Sequence, residues 1–142
     1  MTNGNKPSTV FWVVSVIALV WNILGVGAYL GQTFMNEEAL AELPQADQDF
    51  YANMPAWVTA AFAIAVWFGL LASIGLLMRK KWAVSLFMLS LLGVLAQAFY
   101  NFFLQDYVAL SGSRMIMPIV VILVSAFLVW YSKDAKAKGI LT

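Results

Sequence analysis

Residues Pro55 to Leu104 read PAWVTAAFAIAVWFGLLASIGLLMRKKWAVSLFMLSLLGVLAQAFYNFFL. The only charges in this stretch, Arg79, Lys80 and Lys81, stand together and divide two apolar runs, 55–78 and 82–104. At about 1.5 Å rise per residue each run is long enough, as an α-helix, to cross a hydrocarbon core of about 30 Å. A helix satisfies its own backbone hydrogen bonds in lipid, whereas a lone strand does not, and barrel strands alternate polar and apolar over shorter runs. Because the turn between them is so short, the two helices are expected to be antiparallel neighbours.

Two further uncharged runs flank this pair, at about 10–33 and 115–132. The first exceeds the apolar core of about 7–15 residues in a secretory signal, and no A-x-A cleavage site follows it, so it reads as a retained span. The expected fold is therefore an all-α membrane protein: a four-transmembrane-helix antiparallel bundle forming one domain over 1–142. Composition agrees. The chain is 63% hydrophobic and 11% charged, where soluble domains carry about 25% charged residues.

Charge is sorted between the runs. Lys6, Arg79, Lys80, Lys81, Lys133, Lys136 and Lys138 fall on one side of a four-span layout, with Asp134 the lone acid. Glu37, Glu38, Glu42, Asp47, Asp49 and Asp106 fall on the other, with Arg114 the lone base. The positive-inside rule places the basic side and both termini in the cytoplasm, as in a multi-pass protein of a cell (inner) membrane. The short Lys133–Thr142 tail reads as a polar end.

The first outer loop is the longest. Within it Asn36 is placed to cap a short helix that carries acids in its first turn and stops at Pro44, and Pro44 to Tyr51 suits a second turn. Leu40, Leu43, Phe50, Tyr51 and Met54 are expected to face the membrane surface. The segment thus serves as an interfacial cap on the bundle or as a lid over an outward-facing cavity. Aromatic residues mark both interfaces: Phe11, Trp12, Trp82, Trp130 and Tyr131 at the basic level, and Trp57, Phe102, Phe103 and Tyr107 at the acidic level.

No Cys and no His occur. Thiolate chemistry, disulfides and the usual ligands of zinc, copper and haem are absent, so no cofactor or metal is expected. Met115 and Met117 alone make a poor Cu(I) site and are assigned to packing. Near-neutral net charge, +1 at pH 7, argues against nucleic acid, which requires clustered bases. Enzymatic chemistry is not expected either, because the spans hold no ionisable group for acid–base work. For the same reason proton coupling through a buried carboxylate is not expected.

Three patterns remain. Ala61, Ala65, Gly69 and Ser73 recur every four residues and form a smooth stripe for close helix packing, within the monomer or at a homodimer seam. Asn22, Gly25, Tyr29 and Gln32 share one face of the first span. Ser90, Gly93, Gln97, Tyr100 and Asn101 share a face of the third. The amides either hydrogen-bond across helices or line a pocket open to the outside. In the second case Asn22, Tyr29, Gln32, Gln97, Tyr100 and Asn101 are the candidate ligand-binding residues, and uncharged amides and phenols suit a neutral polar small molecule. Trp21 and Trp67 lie near mid-membrane, where core packing or ligand stacking must satisfy their N–H groups. Pro118 suits a helix start. Pro55 and Pro118 each precede a tryptophan by the same interval, a weak hint of a duplicated two-helix unit.

The chain also resembles a group of small bacterial four-span membrane proteins often labelled "sugar transporter". The resemblance rests on Trp21-Asn22 followed by Gly25, on Met54-Pro55-Ala56-Trp57, and on Arg79-Lys80-Lys81-Trp82-Ala83. It continues through Gln97, Tyr100-Asn101-Phe102-Phe103, Met117-Pro118 and Trp130-Tyr131-Ser132, and so covers most of the chain. It implies an integral membrane protein but carries over no site residue. The small sugar carriers with three-helix repeats differ, since Pro44-Gln45 here lies in a loop. Facilitated transport of a neutral solute such as a sugar is one expected function. A non-catalytic accessory or structural role, docking a partner or a second copy through the stripe, is the other.

Overall fold

A computed structural model of the chain describes residues 7–105 and 115–142; Lys6, Asp106, Tyr107 and Arg114 lie outside them. The described residues form helices and no strand: α1 (Thr9–Thr33), α2 (Glu37–Ala41), α3 (Gln45–Ala52), α4 (Ala56–Leu77), α5 (Trp82–Phe99) and α6 (Ile116–Ala137). A π-helical turn, Tyr100–Leu104, continues α5. Four segments, Thr9–Thr33, Ala56–Leu77, Trp82–Leu104 and Ile116–Ala137, are long and apolar enough to cross a membrane. Their surfaces fit such a solvent, because large apolar side chains such as Val10, Leu24, Leu92 and Leu123 are exposed along them.

α4 packs most extensively on α5, α1 packs on α4, and α6 packs on α5. α1 and α6 make little backbone contact. The reason for the close α4–α5 approach lies in the small residues. A Cβ added to Gly93 would stand 2.7 Å from the Ala61 carbonyl oxygen and 2.9 Å from the Ala65 amide nitrogen. The Ser90 hydroxyl donates across the same interface to the Ala65 carbonyl at 2.6 Å. The stripe Ala61, Ala65, Gly69 and Ser73 is buried inside the chain. Within the chain that face meets α1 and α5.

The main apolar cluster lies at the basic end. Phe11, Ala72, Leu76, Ala83, Val84, Phe87, Leu128, Ala135 and Leu141 pack together there. Phe11, expected in an aromatic belt, is instead 1% exposed and stacks on Tyr131 at 6.4 Å. It bridges α1 to α6, and that contact outweighs an interfacial position.

The end of α6 also departs from expectation. The helix continues through Lys133 and Lys136 to Ala137, beyond the expected stop at Ser132. Gly139, at φ 77°, then reverses the chain, with Ile140 N–H donating to the Ala135 carbonyl and Gly139 N–H to that of Lys136. This double bond pattern and the left-handed glycine make a Schellman ending. Leu141 is thereby driven into the core at 1% exposure. The tail is not a loose polar end, because burying one leucine outweighs solvating the backbone around it.

The α4–α5 turn receives this tail. Arg79 sits at φ 58°, a left-handed conformation that costs a non-glycine residue about 1–2 kcal/mol. Its neighbours offset that cost: Arg79 Nε donates to the Ile140 carbonyl at 2.9 Å, and Thr142 N–H donates to the Arg79 carbonyl at 2.7 Å.

At the acidic end the loop helices form as their signals indicate. The Asn36 side chain accepts from Ala39 N–H at 2.8 Å and starts α2. Pro44 separates α2 from α3. Phe50 of α3 lies 6.1 Å from the Tyr100 ring, so α3 rests on the end of α5. Pro118 falls in the first turn of α6, where its missing N–H costs little.

Candidate functional site

A cavity of about 410 Å³ lies between the four long helices in the half of the bundle nearer the acidic end. All four contribute to its wall. Trp21, Asn22 and Gly25 come from α1, Phe62 and Val66 from α4, Ser90 and Gln97 from α5, and Val121 and Ser125 from α6. Asn101, in the π-turn, lines its acidic end together with Met117 and Pro118. No titratable side chain lines the cavity among the described residues.

The polar residues of the wall fall into two groups. Asn22 and Ser90 belong to the scaffold. Asn22 Nδ2 donates to the Ala18 carbonyl at 2.8 Å and to Ser73 Oγ at 2.9 Å. Ser73 passes the chain on to the Gly69 carbonyl at 2.9 Å. Gly69 permits this, because a Cβ there would overlap Asn22 Oδ1 and come within 3.1 Å of Ser90 Oγ. The interhelical hydrogen-bond reading thus describes Asn22 well.

Gln97 and Asn101 behave differently. Gln97 makes no hydrogen bond to the described residues, and Asn101 Oδ1 is buried with no hydrogen-bond partner. A buried amide oxygen without a donor costs about 1–3 kcal/mol. Both line the cavity. Ser15 Oγ is also buried without a partner, but it sits in α1 away from this cavity.

Tyr29, Gln32 and Tyr100, grouped with these residues by helical spacing, do not line the cavity. Tyr29 packs edge-on against Phe62 at 5.4 Å. Gln32 Nε2 reaches Met54 Sδ at 3.6 Å. Tyr100 is buried between Phe50 and Trp57, with ring centroids 6.1 and 5.9 Å away. Tyr100 and Asn101 are sequence neighbours about 100° apart around a helix, so one meets α3 and α4 while the other meets the cavity. The π-turn, seen in Gln105 N–H donating to the Tyr100 carbonyl, rotates this end of α5 beyond what regular spacing foresees; such turns are frequent at functional sites.

Trp21 lines the cavity, but Trp67 does not; at 41% exposure it faces outward. Its expected core position is thus corrected. The contribution of α6 had a weak signal in sequence. Ser125 is the one polar residue between Met115 and Trp130, and Pro118, Val121 and Ser125 recur at helical spacing.

A second, wholly apolar groove of about 260 Å³ runs between α1 and α6, lined by Val14, Ile17, Ala18, Trp21, Val124, Phe127 and Leu128. Trp21 is common to both spaces.

Compared with protein-family models, curated proteins and solved structures, the chain matches none.

Proposed function

We propose that the chain is a multi-pass integral membrane protein whose central cavity binds a neutral solute, and that Gln97 and Asn101 hold it by hydrogen bonds. One observation carries the reading: a cavity lined by all four apolar helices presents an unpartnered amide oxygen, Asn101 Oδ1, and an unengaged amide, Gln97. Ligand sites are mostly apolar with a few convergent polar groups, and this wall has that character. The uncharged wall favours a neutral ligand, since a bare ion would stay unpaired there. Few polar groups converge, which favours a solute with one or two hydrogen-bonding groups over a fully hydroxylated sugar.

In this reading the four helices form an antiparallel bundle, α2 and α3 lie at the outer membrane surface, and the basic end faces the cytoplasm of a bacterial inner membrane. Such a protein carries no catalytic group or cofactor. If it moves its solute across the bilayer, the mechanism is facilitated diffusion by movement between paired helices. The resemblance to small four-span bacterial proteins supports this class.

A thermal-shift screen of the purified protein against neutral sugars, polyols, amino acids and lipids tests it. Native-state binding raises apparent stability by about RT ln(1 + [L]/Kd). A shift with one class, lost in both Gln97→Leu and Asn101→Leu, is the expected result. Shifts that survive both substitutions, or none across the panel, overturn it. Orientation has its own test: a cysteine introduced at Gln45 labels from outside intact cells, and one at Lys80 does not.

A further inference from the structure

The cavity is open on one side. Leu24 and Ala28 of α1 and Met117 of α6 line it and are exposed, and α1 and α6 make little backbone contact. The opening therefore faces sideways, toward the bilayer. The cavity and the apolar α1–α6 groove share Trp21 in their walls. Together they make a bipartite space: amides near the acidic end, then a purely apolar channel toward the basic end.

We propose that this space takes a single-chain neutral lipid with a hydroxyl headgroup, of the monoacylglycerol or long-chain alcohol kind, held head-first at Gln97 and Asn101. The proposal rests on the cavity being a ligand site and names what occupies it. Asn101 Oδ1 lacks a donor, and a lipid hydroxyl supplies one. The Gln97 amide offers both a donor and an acceptor to a second oxygen. A fatty acid or a phospholipid fits poorly, because no cationic side chain among the lining residues pairs its charge. Depth agrees. Asn101 lies three residues from the end of the Trp82–Leu104 span, so a head held there leaves the length of the span for the chain. From Ala28 to Val14 the path along α1 covers about 21 Å at 1.5 Å per residue, the reach of a long alkyl chain. The groove is bounded by one face of each of two helices, which accommodates one chain rather than two.

The test uses the full chain in nanodiscs and a monoacylglycerol bearing a diazirine near the end of its acyl chain. Adducts are located by mass spectrometry after illumination. The expected result is saturable labelling at groove residues such as Val14, Ile17 and Val124. Unlabelled monoacylglycerol displaces it, glycerol does not, and the matching fatty-acid probe labels at least about tenfold less (a decade in affinity being about 1.4 kcal/mol). Asn101→Leu weakens labelling about tenfold. Ile17→Trp abolishes it without lowering the melting temperature, because Ile17 is exposed at 61% and its replacement fills only the groove. Unsaturable labelling shared with outward residues such as Val20 and Leu92 overturns the proposal. So does covalent cross-linking of two chains through α1 and α6, which would make a second copy the occupant. If neutral sugars or polyols shift the melting temperature through Gln97 and the lipid does not bind, the lipid proposal falls and the solute-binding reading stands. If neither binds, both fall.

Discussion

The two ends of this bundle are built on opposite plans. At the basic end the helices close on one another: Phe11 meets Tyr131, Leu141 returns into the core, and every large side chain of the cluster finds neighbours. At the acidic end they hold apart around a cavity, and two amides there, Gln97 and Asn101, lack side-chain hydrogen bonds among the described residues. A membrane bundle gains little by expelling lipid from between its helices, since lipid is as apolar as leucine; its helices associate through close packing and hydrogen bonds. Both concentrate in the basic half and along the α4–α5 contact. The difference teaches that close packing in one half lets the helices stand apart in the other.

That contrast can be broken by substitution. Phe11→Ala should cost most, about 3–5 kcal/mol, because it empties the centre of the closed end; thermal unfolding in detergent would read it, and a loss under about 1 kcal/mol would show that the closed end is not the anchor. Gly93→Val comes next, at about 1–3 kcal/mol, since its side chain would push α5 from the Ala61 and Ala65 backbone; unchanged stability would remove close backbone approach as the cause of α4–α5 packing. Asn22→Leu should cost about 0.6–2 kcal/mol by cutting the link to Ser73, whether or not ligand is present. Gln97→Leu should change stability without ligand by about 0.5 kcal/mol or less, while removing any ligand-induced shift. A Gln97→Leu protein as unstable as Asn22→Leu would erase the distinction between an amide spent on the scaffold and one left unengaged.

Much of the architecture can be read from local signals. The apolar runs bounded by Arg79–Lys81 and by the loop acids reappear as four long helices within a few residues of the expected ends. Asn36 and Pro44 punctuate the loop as capping chemistry requires. These features depend on the chain's own length, charge and caps. The fate of the C-terminal residues does not. Nothing local marks Leu141 as a core residue, and only the space beneath the α4–α5 turn gives it a place. Phe11 and Trp67 exchange their expected settings for a similar reason: an aromatic ring near the middle or the end of a span packs inward or outward according to which neighbour faces it.

The amides show the same division more finely. Helical spacing put Asn22 on one face of the first span and Gln97 and Asn101 on one face of the third, and the cavity wall contains all three. It also grouped Tyr29, Gln32 and Tyr100 with them, and these turn to other partners. Spacing defines a face of one helix, but it is silent on which neighbour that face meets.

By itself the sequence determined helices, their number, their lengths and the sorting of charge, because each follows from backbone hydrogen bonding in an apolar solvent and from where charge can be solvated. The tertiary structure alone decided which amide is spent on the scaffold and which is left unpaired beside a cavity. That outcome depends on where Ser73 and Gly69 of α4 stand relative to Asn22, on the π-turn that carries Asn101, and on the gap between α1 and α6. Each is a relation between helices rather than a property of one.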